Sequence, residues 1–239
     1  MSPSDLALAM LCSAVGFTLQ GAVGFGMGIL GSPLLLLIDP RFVPGPILAS
    51  TMVFTALLTR REHRAIDLGG LGWAVGGRLA GTIPAAALLA LLPAEQPNLL
   101  FGGIVLVAVA ISVSGLHVEP RPATLLACGA LSGLMGTVAS IGGPPMALLY
   151  QHAPGARVRG TLSGLFLIGT IISLGALVLV GRFGRDELWL SCALLPGAMF
   201  GFVVSRRLAS GLDRGYTRRA VLTIAAVAGL IVVVRSVAS

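Results

Sequence analysis

The chain is organised around a glycine-rich stretch, QGAVGFGMGILGSP at residues 20–33, that returns as SGLMGTVASIGGPP at residues 132–145. The matching positions are all 112 residues apart: Gly21 and Gly133, Gly24 and Gly136, Gly31 and Gly143, Pro33 and Pro145. Four matches at one offset indicate an internal repeat.

Both copies lie inside long runs without a formal charge, residues 6–38 and 122–156. A glycine cluster is costly in a simple spanning helix, because each Gly costs a helix interior ~1 kcal/mol relative to Ala. Interrupted backbone is tolerated in a membrane where protein or a water-filled cavity surrounds it, and paired interrupted segments are typical of transporter binding sites. The alternative is that the glycines let helices pack closely. The prolines that close each copy favour a break.

The composition predicts an all-α polytopic membrane protein. Of 239 residues, 56% are hydrophobic and 10% are charged, and the mean hydropathy is +0.96, whereas a soluble domain carries about 25% charged residues. There is no basic patch with interleaved aromatic residues, so we expect membrane lipid and not nucleic acid as a partner. The three cysteines lie in separate apolar runs without metal-ligand spacing, and we expect no metal, cofactor or disulfide.

The apolar segments divide into two similar halves. The first repeat, residues 1–121, contains a broken hairpin at 6–38 and spans at 42–59, 68–94 and 98–116. The second repeat, residues 122–239, contains a broken hairpin at 122–152 and spans at 160–181, 188–205 and 220–234. We expect the breaks at Gly21–Gly31 and Gly136–Gly143, with arms of about 15 residues on either side of the first.

The arginines favour hairpins over eight plain spans. Eight plain spans would divide the loop arginines almost evenly between the two faces. If both glycine-rich runs turn back, eleven arginines lie on one face and four on the other: Arg60, Arg61, Arg64, Arg121, Arg157, Arg159, Arg206, Arg207, Arg214, Arg218 and Arg219 against Arg41, Arg182, Arg185 and Arg235. Positive loops stay cytoplasmic, so the hairpin arrangement has an orientation and both termini face outward. Each half has three full spans, which is an odd number. The second half therefore enters the membrane from the opposite face, and the two repeats are inverted.

These residues resemble the TauE/SafE family of membrane permeases, the sulfite-exporter-like proteins, over nearly the whole chain. The resemblance is carried by the repeat, by Gly24-Phe25-Gly26-Met27-Gly28 with Pro33, and by Ile141-Gly142-Gly143-Pro144-Pro145. Met27 interrupts the glycine run that family members commonly show at the first position. The resemblance implies secondary transport of small sulfur oxyanions or organosulfonates across the bacterial inner membrane, usually outward.

The candidate substrate-binding residues are backbone and hydroxyl donors at the two breaks. An anion carrier needs such donors near the membrane midplane, because helix N-termini attract anions without burying an ion. The candidates are Gln20, Gly24, Gly26, Gly28 and Ser32 in the first half and Thr137, Ser140, Gly142 and Gly143 in the second. The hydroxyls could instead bond their own helix carbonyls. Pro144 and Pro145 suit the first turn of an outgoing helix.

Arg78 is the one charge inside a predicted span, ~15 Å from its start. An intramembrane arginine is a functional hypothesis by default, and we include Arg78 among the substrate-binding candidates. The alternative is that its side chain extends to the basic face. Asp39, beside Pro40 and Arg41, is expected to cap or pair locally and not to carry protons.

Three functions remain open at this stage. The first is an exporter of sulfite, sulfonates or related oxyanions that works by alternating access. The second is a transporter of a neutral or zwitterionic metabolite, which the lack of acids deep in the spans allows. The third is a membrane scaffold without transport, which gives the paired breaks no purpose. We expect no enzyme, because no constellation of catalytic side chains is visible, and the sequence leaves open whether the chain forms a homo-oligomer.

Overall fold

The computed structural model describes residues 2–92, 98–209, 227–231 and 234, and the regular structure of this part is helical. Helices satisfy all backbone polar groups within one segment, which a lipid environment requires. Five of the helices are long and apolar enough to cross a membrane: Pro3–Val23, Leu68–Leu91, Pro122–Ala139, Gly155–Leu179 and Arg185–Leu208. The prediction of an all-α chain with several membrane-spanning segments is confirmed.

The helices follow one another with short connections. They are α1 (Pro3–Val23), a π-helical turn (Met27–Gly31), α2 (Ser32–Ile38), α3 (Gly45–Glu62), α4 (Leu68–Leu91), α5 (Asn98–Val113), α6 (Pro122–Ala139), α7 (Gly143–Leu149), α8 (Gly155–Leu179) and α9 (Arg185–Leu208). Each of the predicted spans 42–59, 68–94, 98–116, 160–181 and 188–205 falls largely on one helix, with shifted ends. Most of the predicted span 220–234 and the end of the predicted span 68–94 lie outside the described residues.

The helical structure of both glycine-rich runs is interrupted. Each interruption covers fewer residues than the sequence predicted. The first interruption is Gly24–Gly26, after an α1 of 21 residues, so the first arm is longer than the expected 15. Gly24 ends α1 with φ 104°, a left-handed conformation that favours glycine. The second interruption is Ser140–Gly142, because α6 continues through Gly136 to Ala139. The placement of Pro144 and Pro145 in the first turn of the outgoing helix α7 is confirmed.

Glycines set close contacts between α4 and α6 and between α1 and α9. A Cβ added at Gly77 would overlap the Leu126 carbonyl oxygen, and one at Gly81 would overlap that of Ala130, so α4 and α6 run in the same direction. A Cβ at Gly197 would lie 2.6 Å from the Met10 carbonyl oxygen, and one at Gly201 would lie 2.7 Å from the Thr18 nitrogen, so α1 and α9 also run in the same direction. Gly201 therefore lies at a contact between two helices.

Helices α3 and α8 complete two groups of parallel helices. Helix α3 runs parallel to α1. Phe54 packs on Phe17 with ring centroids 4.7 Å apart, and Arg61, further along α3, donates to the carbonyl of Gly21, which lies further along α1. Helix α8 runs parallel to α4, because the Asp67 nitrogen donates to the Thr161 hydroxyl near the beginning of both helices, and Thr82 and Ser173, further along, are joined through the Thr137 hydroxyl of α6. The two groups are antiparallel, because the beginning of α8 packs near the end of α3: a Cβ at Gly160 would lie 3.0 Å from the Glu62 carbonyl oxygen. One group contains α1, α3 and α9, and the other contains α4, α6 and α8. In the first group α9 comes from the second half of the sequence, and in the second group α4 comes from the first half.

Candidate functional site

The two interruptions of the chain contact each other. A Cβ added at Gly28 would overlap the Ser140 carbonyl oxygen, and a Cβ added at Gly143 would lie 2.8 Å from the Phe25 Cβ. Glycine is needed here because Gly28 approaches the backbone of the second interruption and Gly143 approaches the first side-chain carbon of Phe25, so any larger residue would separate the two segments. The sequence predicts that these glycines face a ligand, and in the structure Gly28 and Gly143 also hold the two interruptions together.

A small cavity lies beside this contact, and about 30 Å³ of it is open to the centre of a water-sized molecule. Seven of the ten predicted substrate-binding residues line it: Gln20, Gly26, Gly28, Arg78, Ser140, Gly142 and Gly143. They come from α1, the two interruptions and their margins, and α4. Residues from both halves of the sequence thus surround one small space.

The remaining lining residues were not predicted. They are Phe25, Ile29, Leu48, Thr51, Gly136, Pro144, Phe166 and Thr170. Thr51 had a signal, because Thr161 repeats it 110 residues later within matching surroundings. The apolar residues had none, since a Leu or Phe that lines a cavity looks the same in sequence as one that packs in a core.

Three predicted residues lie away from the cavity lining. Gly24 packs against Val158 and Arg159 at the beginning of α8. Ser32 is buried and its hydroxyl has no hydrogen-bond partner among the described residues. The Thr137 hydroxyl lies 3.2 Å from that of Thr82 and 2.8 Å from that of Ser173, so it joins helices instead of facing the cavity.

Gln20 and Ser140 brace the two interruptions. The Gln20 side-chain oxygen accepts a hydrogen bond of 3.2 Å from the Met27 backbone nitrogen and so closes the first interruption from inside. The Ser140 hydroxyl donates to the Pro44 carbonyl at 3.0 Å, and its φ of 61° puts it in the left-handed region. Ser140 therefore ties the end of α6 to the beginning of α3.

Arg78 is buried at the wall of the cavity, and its side chain does not reach the basic face. It is 2% exposed, and its Nη1 donates to the Ser132 hydroxyl at 2.9 Å. Three glycines make room for the guanidinium: a Cβ would lie 2.9 Å from Nη2 at Gly136, 2.7 Å from Nη1 at Gly142, and would overlap Nε at Gly169. The guanidinium carbon lies 5.9 Å from the centre of the Phe166 ring. The alternative that Arg78 extends to the interface therefore does not fit the structure.

The guanidinium of Arg78 has no carboxylate counter-ion in the described part of the chain. The ion pairs of this part join Asp39, Glu62, Asp67 and Glu119 to other arginines. Nε of Arg78 has no hydrogen-bond partner there either. An unpaired buried charge costs several kcal/mol, so the position favours an anion as the missing partner.

Asp39 pairs locally, as the sequence predicted. Its carboxylate accepts hydrogen bonds from the backbone nitrogen and the guanidinium of Arg41, at 2.9 Å and 2.6 Å. The hydrogen bond from the Arg41 side chain lowers the pKa of Asp39 below its usual value, which keeps the carboxylate ionised.

Comparison with known proteins assigns the chain to a family. No match was found among curated proteins or solved structures. The profile of the family described as Sulfite exporter TauE/SafE matches residues 8–232, nearly the full length and both halves that form the cavity. The chain therefore belongs to the TauE/SafE sulfite exporter family, a family of membrane transporters.

Proposed function

We propose that the protein exports small sulfur-containing anions, such as sulfite, sulfonates or related oxyanions, across the bacterial inner membrane by alternating access. The observation that carries this proposal is the buried guanidinium of Arg78 at the cavity wall, without a carboxylate partner among the described residues. An arginine presents a planar set of donors that matches the oxygens of an oxyanion. The anion occupies the cavity and completes the charge balance.

The proposal includes two inverted repeats, each with a hairpin made from a glycine-broken segment. Two features support it. Helices α1 and α3 run in the same direction, so the segment between them, which contains α2, leads back along α1. Helices α1 and α6, which begin the two halves, belong to antiparallel groups. The binding site then lies between the repeats, where inverted-repeat transporters place it.

The loop charges give the proposed orientation. With the hairpins in place the arginine-rich face, which includes Arg60–Arg64 and Arg206–Arg219, is cytoplasmic and both termini are extracytoplasmic. The membrane potential then favours outward movement of an anion by ~2.3 kcal/mol per charge per 100 mV. A potential-driven uniport therefore needs no proton-coupling acid.

Counterflow in proteoliposomes tests the function. Purified protein is reconstituted into vesicles loaded with unlabelled sulfite, and the entry of labelled sulfite is measured, with a neutral amino acid pair as the comparison. Exchange of sulfite and not of the neutral solute supports the proposal. Exchange of the neutral solute alone would identify the second candidate class, and no exchange of either would leave a scaffold.

Variants of Arg78 connect that activity to the cavity. Arg78→Lys keeps a positive charge at the same depth and should retain a measurable part of the exchange, whereas Arg78→Leu should abolish it. Equal exchange by the wild type and both variants would separate Arg78 from the substrate. Size-exclusion profiles of the detergent-solubilised variants control for folding.

A further inference from the structure

The charge of the cavity indicates which anions it accepts. Among the described residues that line it, Arg78 alone carries a charge. The other polar side chains of the lining, Gln20, Thr51, Ser140 and Thr170, are neutral. One positive charge balances one negative charge, and a second negative charge would stay uncompensated inside the protein.

No second cation that could compensate a further negative charge lines the cavity in the part of the chain that the structure describes. The arginines with described ion pairs are held near the ends of helices: Arg41 on Asp39, Arg61 and Arg159 on Glu62, Arg121 on Glu119 and Arg157 on Asp67. Nη1 of Arg78 is already bonded to Ser132, whereas Nε, which faces Gly169, and Nη2 have no described hydrogen bond. The site thus offers one charge and few charged donors.

Another part of the wall is apolar. Phe25, Ile29, Leu48 and Phe166 face the same space as the guanidinium. Carbon atoms of a substrate gain from contact with such a surface, whereas oxygens of a dianion that face this part of the wall lose water without replacement. The wall therefore suits an anion with a charged head and a small uncharged or apolar remainder.

We infer that the cavity selects monovalent sulfur oxyanions, namely hydrogen sulfite and short alkanesulfonates, over divalent ions such as sulfate, sulfite dianion and sulfoacetate. This inference rests on the proposed function and narrows its substrate class. Each turnover then binds one anionic charge against the one guanidinium. An additional charge lowers affinity by at least about tenfold, since each 1.4 kcal/mol of uncompensated charge corresponds to one factor of ten.

Competition against labelled sulfite counterflow tests the selectivity. Unlabelled methanesulfonate, which is monovalent at every pH used, should compete at a concentration at least tenfold lower than sulfate or sulfoacetate. Counterflow of labelled sulfite should fall as the pH rises from 6 to 8, because hydrogen sulfite loses its proton, while counterflow of labelled methanesulfonate stays constant. Equal or stronger competition by sulfate or sulfoacetate would overturn the charge selectivity and leave the transport function intact. Absence of counterflow with every anion would overturn both.

A second cation in the wall gives an independent test. Thr51 lines the cavity from α3, so Thr51→Lys adds one positive charge near Arg78. The variant should move the competition ratio toward sulfate by several-fold. If the variant does not fold, the wild-type competition series still decides the question. A folded Thr51→Lys protein with an unchanged ratio would contradict the role of charge balance.

Discussion

The space that holds the Arg78 guanidinium can be removed with a single methyl group at Gly169. A Cβ at this position of α8 would overlap Nε and Cδ of Arg78, which form the inner part of the side chain and not its mobile end. In Gly169→Ala the guanidinium must leave the pocket formed by Gly136, Gly142 and Gly169. Its hydrogen bond to Ser132, now 2.9 Å, is then broken.

The size of the effect follows from these contacts. A hydrogen bond to a charged group contributes about 1.5–3 kcal/mol, and alanine recovers roughly 1 kcal/mol of helix propensity, so the free energy of unfolding should fall by only about 0.5–2 kcal/mol. Loss of the guanidinium from its position should reduce anion affinity by about ten- to hundredfold, which is the same 1.5–3 kcal/mol expressed as binding.

The assay compares Gly169→Ala with Gly175→Ala in the same helix. A Cβ at Gly175 meets no atom of the described chain within 4 Å, so this variant receives the helix propensity without the steric overlap. Sulfite counterflow and thermal unfolding in detergent are measured for both. Gly175→Ala should transport as the wild type does and unfold no earlier. Wild-type transport by Gly169→Ala would refute the argument that this pocket positions Arg78 for the anion.

Three further predictions follow from other parts of the fold. Reporter fusions at residue 3 and after Arg41 should report one face and a fusion after Arg64 the other, because α1 and α3 run in the same direction; residue 3 and Arg41 on opposite faces would eliminate the first hairpin. Gly142→Ala should lower transport at least about tenfold while the protein stays monodisperse, since its Cβ would crowd Nη1 of Arg78 at 2.7 Å. Gly201→Ala should instead lower the melting temperature, because its Cβ meets the backbone of α1. The reverse pattern would assign Gly142 to helix packing. Glu62→Gln should cost about 1–3 kcal/mol of unfolding free energy, because Arg61 and Arg159, whose side chains are 15% and 12% exposed, lose the carboxylate that they share. Glu119→Gln should change the melting temperature little, because the side chains of Glu119 and Arg121 are both 74% exposed. Equal melting temperatures for the two variants would contradict this difference.

Much of the site was predictable because glycine and charge are unusual in apolar helices. The repeat predicts Gly26, Gly28, Gly142 and Gly143 as site residues, and the presence of a charge inside a span predicts Arg78. All five line the cavity. The selection of Thr137 from the same stretch could not separate a hydroxyl that faces the cavity from one that bonds a neighbouring helix, since the two differ only in the direction of the side chain.

The extents of the interruptions were less predictable. The pattern placed the second break from Gly136 onward, but α6 continues to Ala139. Gly136 is needed there for a different reason, which is to leave space for Nη2 of Arg78. Glycine can make space for a side chain from a neighbouring helix, or it can end a helix. The local sequence does not distinguish these two roles.

The sequence by itself determined the helical membrane class, the two-fold pattern and the charge at residue 78, because these depend on composition and on spacing along the chain. Only the tertiary structure decided which residues surround that charge. Gly169, Ser132 and Phe166 meet Arg78 because α4, α6 and α8 run parallel and pack at close range. Such contacts depend on the direction and separation of whole helices. The sequence around a glycine or serine in one helix does not indicate which residue of another helix faces it.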